Sequence, residues 1–296
     1  MKNSKIVIYA GMIIATIIWS LSFIWYKEVF VYLKPITTVF LRLVFSGVFL
    51  VIISLLLNQL QNIQAKHLKT FLLLTLFEPF LYFIGESVGM QYVSSTMGAI
   101  IISTIPLFIP FTAYYFLGEK LSFKNFLGII ISIVGVLLVI LSNSFELGGT
   151  IIGISIMFMA VFSALIYVVI LMKLSKHYSI LTIITFQNGI GAIYFLPVFL
   201  IFEYQHFRQV EISWDLMTPL LELSFLASGF AFIFFTIAMK KIGVSKANVL
   251  INLIPVFTAI FAYFMLGEQI GLQKIFGIVL VISGLFLSQM KLKSKS

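Results

Sequence analysis

Apolar residues along this chain fall in blocks of roughly 20, the number a helix needs to cross a ~30 Å hydrocarbon core, and short clusters of Lys, Pro, Gly and Asn separate them. Reading the breaks predicts membrane spans at 6–26, 37–57, 70–91, 96–116, 123–142, 150–172, 180–202, 218–239, 247–266 and 272–290. The first block has a second reading, because Lys2 and Lys5 ahead of an apolar run resemble the opening of a secretory signal. That run continues to Tyr26, too long for a signal core, and no small-x-small cleavage pattern follows, so it is read as the first span. Trp214 and the polar stretch 203–217 read as a loop between spans. Glu222, after Thr218-Pro219, falls in the first turn of the eighth span, where a carboxylate suits a helix N-terminus.

Composition agrees with this pattern. With 61% hydrophobic and 10% charged residues among 296, the chain lacks the material for a water-soluble surface. The net charge of +9 raises the question of an acidic partner such as nucleic acid, but the basic residues lie mostly in loops. Fourteen lysines fall on the side that starts with the N-terminus, four basic residues fall on the other, and Arg42 lies inside the second span. Basic loops stay inside, so this ratio predicts an even span count in a cytoplasmic membrane with both termini in the cytoplasm, and it excludes a nucleic-acid role. Cysteine is absent, which removes thiol nucleophiles, disulfides and thiolate metal sites. His67, His177 and His206 lie outside the spans, and no metal-binding or nucleotide-binding motif occurs, so neither a cofactor nor an enzyme activity is expected.

The chain also repeats itself. An offset of 149 residues brings Pro106 onto Pro255, Gly118-Glu119 onto Gly267-Glu268, Gly128 onto Gly277 and Gly135 onto Gly284 without a gap. Five spans separate the copies, so the second half should sit upside down relative to the first. The loop charges swap accordingly. Lys120 and Lys124 follow the first Gly-Glu turn, where the second copy has Gln269 and Lys274. Conversely, Lys240, Lys241 and Lys246 precede the ninth span, and the loop before the fourth has no basic residue. Two half-bundles of opposite orientation are the architecture of alternating access about a central site.

The Trp19-Ser20 pair, Lys27, Pro35, Arg42 and the twice-repeated Pro…Gly-Glu…Gly…Gly pattern resemble the EamA family of the drug/metabolite transporter superfamily. Residues 7–141 and 150–288 each resemble one EamA unit. The resemblance implies an all-α integral membrane protein with ten spans in two inverted five-helix repeats. It further implies a central cavity lined mainly by spans one, three, four, six, eight and nine, and export of amino acids or other small metabolites. The second half lacks counterparts of Trp19 and Arg42, so their roles rest on one copy.

A charge at the centre of a span costs ~2.5–3.5 kcal/mol or more, so each one needs a reason. Glu78, Tyr82 and Glu86 are spaced by four and share one stripe of span three. Ala227 and Phe235 stand at the equivalent places in the second half, so the two carboxylates are not a symmetric scaffold feature. For Glu78 two readings stand: a group that exchanges a proton or holds a substrate amine, and a hydrogen-bonded carboxyl joining helices. Arg42 should reach a depth similar to that of Glu86, and an Arg42–Glu86 bridge would shield both charges from lipid.

Pro79, Pro106 and Pro255 leave the carbonyls of Thr75, Ile102 and Ile251 without helical partners, which permits a bend or a ligand contact. Ser103 and Asn252 are equivalent in the two copies, and Asn248 lies one turn before Asn252. Buried amides need partners, either at a cavity wall or across helices. Ala15, Trp19, Ser22 and Tyr26 form one mixed face of span one, and Ser224 and Ser228 do the same in span eight; a cavity for an amphipathic solute and plain helix packing both fit. The glycine pairs Gly128/Gly135 and Gly277/Gly284 suit close helix approach.

The expected function is therefore secondary transport of a small neutral or zwitterionic metabolite, with proton exchange as the coupling and export as the direction. A membrane enzyme using Glu78 and Glu86, and a non-transporting partner or sensor, are the alternatives. Oligomeric state, monomer or homodimer, is not legible.

Overall fold

The computed structural model describes residues 2–108, 123–141, 147–242, 247 and 250–288. Asn248, Gly118-Glu119, Lys120 and Lys246 lie outside them. Among the described residues six helices are long and apolar enough to cross a membrane: α1 (Ile6–Val29 of Lys2–Val29), α2 (Pro35–Leu56), α3 (Ala65–Gly89), α6 (Ile151–Leu174 of Leu147–Leu174), α7 (Ile180–Phe202) and α8 (Trp214–Ile242). Shorter apolar helices stand between and after them: α4 (Ser95–Phe108), α5 (Phe123–Leu141, apolar over Phe126–Val139), α9 (Ile254–Leu266) and α10 (Leu272–Ser288). Large apolar side chains such as Leu56, Ile201, Phe264 and Phe276 are exposed on the bundle's outer surface, as expected where lipid is the solvent. The chain is a multi-pass membrane protein.

Local signals set the helix starts. Pro35 opens α2 at a position whose N–H has no helical partner in any case. Ser94, Ser179 and Ser213 cap α4, α7 and α8 by accepting from the amides of Met97, Thr182 and Leu216. Gly267 ends α9 in the left-handed conformation at φ 67°. The Ser213 cap corrects the sequence reading of residues 203–217: α8 already begins at Trp214, and a single-turn helix, Tyr204–Phe207, precedes it. Glu222 consequently sits two turns inside α8 rather than in its first turn.

Helix pairing is close where side chains are small. Reciprocal contacts join α5 and α10: a Cβ on Gly128 would strike Gly284 O and Ser288 N, and one on Gly135 would meet Gly277 O at 2.7 Å. The pair runs antiparallel, since Gly128 meets Gly284 while Gly135 meets Gly277. α2 lies along α7, with Phe40 stacked on Phe199 and Ser54 bonded to Thr185. α1 packs on α8 and α9, and α6 packs on α3 and α4.

Three helices are interrupted within their length, and a fourth break lies immediately before α9. α3 widens into π turns over Leu76–Leu81, where Glu78 takes an extended backbone (φ −147°, ψ 118°) ahead of Pro79, as the residue before a proline prefers. α8 has a comparable stretch, Glu222–Ala231, without a proline. α4 breaks in a turn at Ser103-Thr104 before Pro106, and a corresponding turn at Asn252-Leu253, before Pro255, separates α9 from the helical residues Leu250 and Ile251. The 149-residue offset places Leu76–Leu81 inside the α8 stretch and Ser103-Thr104 onto Asn252-Leu253. Continuous helices over 70–91 and 247–266 are thus corrected to broken ones.

Candidate functional site

A cavity of about 90 Å³ lies where the interrupted helices converge. One buried water needs roughly 10–15 Å³, so this space holds several waters or a small solute. Trp19, Ser22 and Phe23 of α1 form one wall, and Glu78, Tyr82, Phe83 and Glu86 of α3 form another. Ile102, Ile105 and Pro106 of α4 face Ile251 and Ile254 of α9. Arg42, Tyr167, Phe232 and Phe235 complete the enclosure.

Its polar groups divide sharply. Arg42, 2% exposed, donates from Nε to Ser228 Oγ and from Nη1 to the Tyr26 hydroxyl at 2.7 Å. Tyr26 in turn donates to Glu86 Oε2 at 3.1 Å, and Tyr82 donates to Oε1 at 3.0 Å. Arg42 Nη1 and Glu86 Oε2 stand 4.0 Å apart, so much of their coupling runs through the Tyr26 hydroxyl. The Phe83 ring covers the guanidinium face, 4.3 Å from Cζ. Such a cluster compensates two charges that would each be costly alone in lipid.

Glu78 is different. It is 5% exposed, lines the cavity, and has no hydrogen bond or ion pair among the described residues. Ahead of Pro79 its backbone leaves the regular helical path, and the residue lines the cavity.

Trp19 donates its indole N–H to Ala227 O at 3.2 Å, a carbonyl inside the wide stretch of α8. Its ring meets Phe232 and Phe235 edge-on, with centroids 5.3 and 5.2 Å away. At the break before α9, the hydroxyls of Thr16 and Ser20 reach Leu250 O and Ile254 O. These contacts seat α1 against both breaks of the second half.

Of the residues the sequence singled out, Trp19, Ser22, Arg42, Glu78, Tyr82, Glu86 and Pro106 line the cavity. Ser228 stands behind the wall and holds Arg42 in place. Ser103 bonds back to Ile100 O, and Pro79 and Pro255 shape the breaks from outside the lining. Asn252 is fully buried, and neither its amide nitrogen nor its oxygen has a partner among the described residues.

Sequence reasoning counted Lys27 in the family pattern and Glu268 in the repeat without a contact for either, and left Glu203 in a loop; the three bolt one end of the bundle. Lys27 donates to Met90 O and Val93 O at the end of α3. Glu203 accepts from Ile36 N, Thr37 N and Thr37 Oγ1 at the start of α2. Glu268 accepts from Ser95 N and Thr96 Oγ1 at the start of α4 and pairs with Lys274 at 3.3 Å. A carboxylate on exposed helix N–H groups is stabilised by the helix dipole. The available signal was the rarity of acidic residues in this chain, ten in all.

A small cavity at the meeting point of broken helices in a multi-pass bundle is an arrangement that membrane transporters use, and the comparisons with known proteins give that class. The EamA-like transporter family matches residues 6–141 and, a second time, residues 151–290, and the chain belongs to that family. It is similar to the uncharacterized transporter YoaV of Bacillus subtilis (strain 168), with 25% identity over 279 residues, 94% of this chain and 95% of the other. An uncharacterized transporter of Archaeoglobus fulgidus is 25% identical over 269 residues, 91% and 94% of the two chains. A protein of known crystal structure shares the fold at a TM-score of 0.69, with 13% identity over 95% of this chain and 96% of the other. These relatives point to a transporter and away from an enzyme.

Proposed function

We propose that this protein is a secondary carrier that moves a small solute through the central cavity by alternating access, in the cytoplasmic membrane, with both termini in the cytoplasm. The reading rests on one observation: helices at corresponding places of the two halves are interrupted beside a cavity in which Glu78 is left without a partner. Interrupted helices at a midplane site are how carriers expose polar groups to a solute without exposing them to lipid.

Two halves of opposite orientation supply the motion. The antiparallel glycine contacts of α5 with α10 support that arrangement, because exchanging the halves turns the Gly128–Gly284 contact into Gly277–Gly135. The packing of α1 on α8 and of α6 on α3 has the same relation. The uneven distribution of lysines favours cytoplasmic termini. Glu78 is the group for proton exchange, since Glu86 is committed to Arg42, Tyr26 and Tyr82. Export is the direction expected from the family.

Reconstituted protein tests this reading. Vesicles bearing an imposed pH gradient, with each of a panel of amino acids and amines at equal concentration inside and out, should move at least one solute to a higher concentration on one side, with proton movement the other way. Solute flux that ignores the proton gradient would remove the coupling. No flux for any compound in correctly folded protein would remove the carrier.

A further inference from the structure

Resting on the carrier reading, we infer that the solute is an amphipathic ammonium, an amine with an apolar aromatic or branched body and no carboxylate. Among the described residues, the arginine and glutamate side chains that line the cavity are Arg42, Glu78 and Glu86. Arg42 and Glu86 offset one another through Tyr26, which leaves Glu78 as the carboxyl without a partner among the described residues. A lone carboxylate out of water is costly, and a monocation that takes the place of its proton pairs it.

The hydrogen-bond inventory points the same way. Among the described residues, every neutral side-chain donor in the wall is already engaged: Trp19 with Ala227 O, Ser22 with Trp19 O, Tyr82 with Glu86, and Tyr167 with Gln187 Oε1. What remains without a partner among the described residues is the Glu78 carboxyl. An ammonium brings donors and a positive charge to it; a carboxylate brings only more acceptors and a repelled charge. The sequence expectation of an amino-acid-like zwitterion is therefore narrowed to its amine half, because Arg42 is not available to hold a carboxylate.

The rest of the wall suits the rest of such a solute. Trp19, Phe23, Tyr167, Phe232 and Phe235 surround the space with aromatic faces and edges, which bind apolar bodies and attract cations. At the bolted end of the bundle a groove of about 470 Å³ is lined by Glu28 and Asp215 together with Tyr32 and Trp214. Its sign is the one that gathers cations.

Four compounds with one phenyl body separate the possibilities: 2-phenylethylammonium, phenylalanine, 3-phenylpropionate and 2-phenylethanol, titrated into the purified full chain by calorimetry. 2-Phenylethylammonium should bind at least tenfold more tightly than the alcohol, with the zwitterion and the carboxylate weaker still. Glu78→Gln should bring the ammonium down to the affinity of the alcohol while thermal unfolding of the variant stays near that of the parent. Should that variant fold poorly, Phe235→Leu keeps the test open, because removing a π face should weaken the ammonium and leave the alcohol nearly unchanged. Binding of phenylalanine or 3-phenylpropionate as tightly as the ammonium would overturn the inference and leave the carrier reading standing. So would an ammonium preference that survives both substitutions. If none of the four binds the folded protein, this inference falls, and the carrier reading is decided separately by solute flux in vesicles.

Discussion

Arg42→Met is expected to lower the stability of the folded bundle by about 3–5 kcal/mol, one of the larger losses available to a single substitution here. The physical reason is the charge left behind. Glu86 is 5% exposed and would keep only the hydroxyls of Tyr26 and Tyr82 once the guanidinium is gone. Ser228 and Tyr26 would lose their partner at the same time. Glu86→Gln should destabilise by a comparable amount through the converse fault, an uncompensated guanidinium in a low-dielectric site. Arg42→Met combined with Glu86→Met removes both charges and should recover most of the loss, because a well-packed apolar pair is often as stable as a buried ion pair. Equilibrium unfolding in detergent would measure all three. Single variants within about 0.5 kcal/mol of the parent, the range of ordinary surface changes, would mean that the cluster does not hold the helices.

Glu78→Gln has its large effect on a different axis. The amide has nearly the same shape as the carboxyl and no neighbour among the described residues loses a hydrogen bond, so the fold should persist. Proton-driven flux in vesicles should fall by at least 100-fold, since an amide neither binds and releases a proton nor neutralises a cation. Facilitated exchange of solute down its own gradient, which needs no proton, should fall less. Wild-type rates of uphill transport in this variant would show that Glu78 is a packing residue and that the coupling lies elsewhere.

How much of the fold and the site is legible in the amino-acid order alone depends on what a one-dimensional pattern can carry. Apolar blocks and the 149-residue repeat follow from composition and spacing, so the membrane class and the location of the prolines are readable there. The spacing of Glu78, Tyr82 and Glu86 marks one stripe, and all three line the cavity. What the chain conceals is rotation between helices. Ser22 and Ser103 look equally suited to a wall, and both hydroxyls bond back to a carbonyl three residues earlier, but only Ser22 lines the cavity. The wide stretch of α8 has no proline to announce it; it is recognisable only once Trp19 is seen occupying the Ala227 carbonyl. Tyr26 belongs to a mixed face, but its place between Arg42 and Glu86 depends on three helices meeting. Phe232 and Phe235 are two among 32 phenylalanines, and nothing in their spacing distinguishes a lining ring from a lipid-facing one.

Opposed movement of the two bundle ends is the claim on which the mechanism turns, and the absence of native cysteine makes it directly measurable with paired spin labels. Val31 and Ile212, exposed at the bolted end, report one gap between the halves; Leu57 and Lys241, exposed at the other end, report the second. In lipid, a shift in pH or addition of 2-phenylethylammonium should lengthen one distance and shorten the other. Distances that stay fixed under every condition, or that widen together, would contradict alternating access.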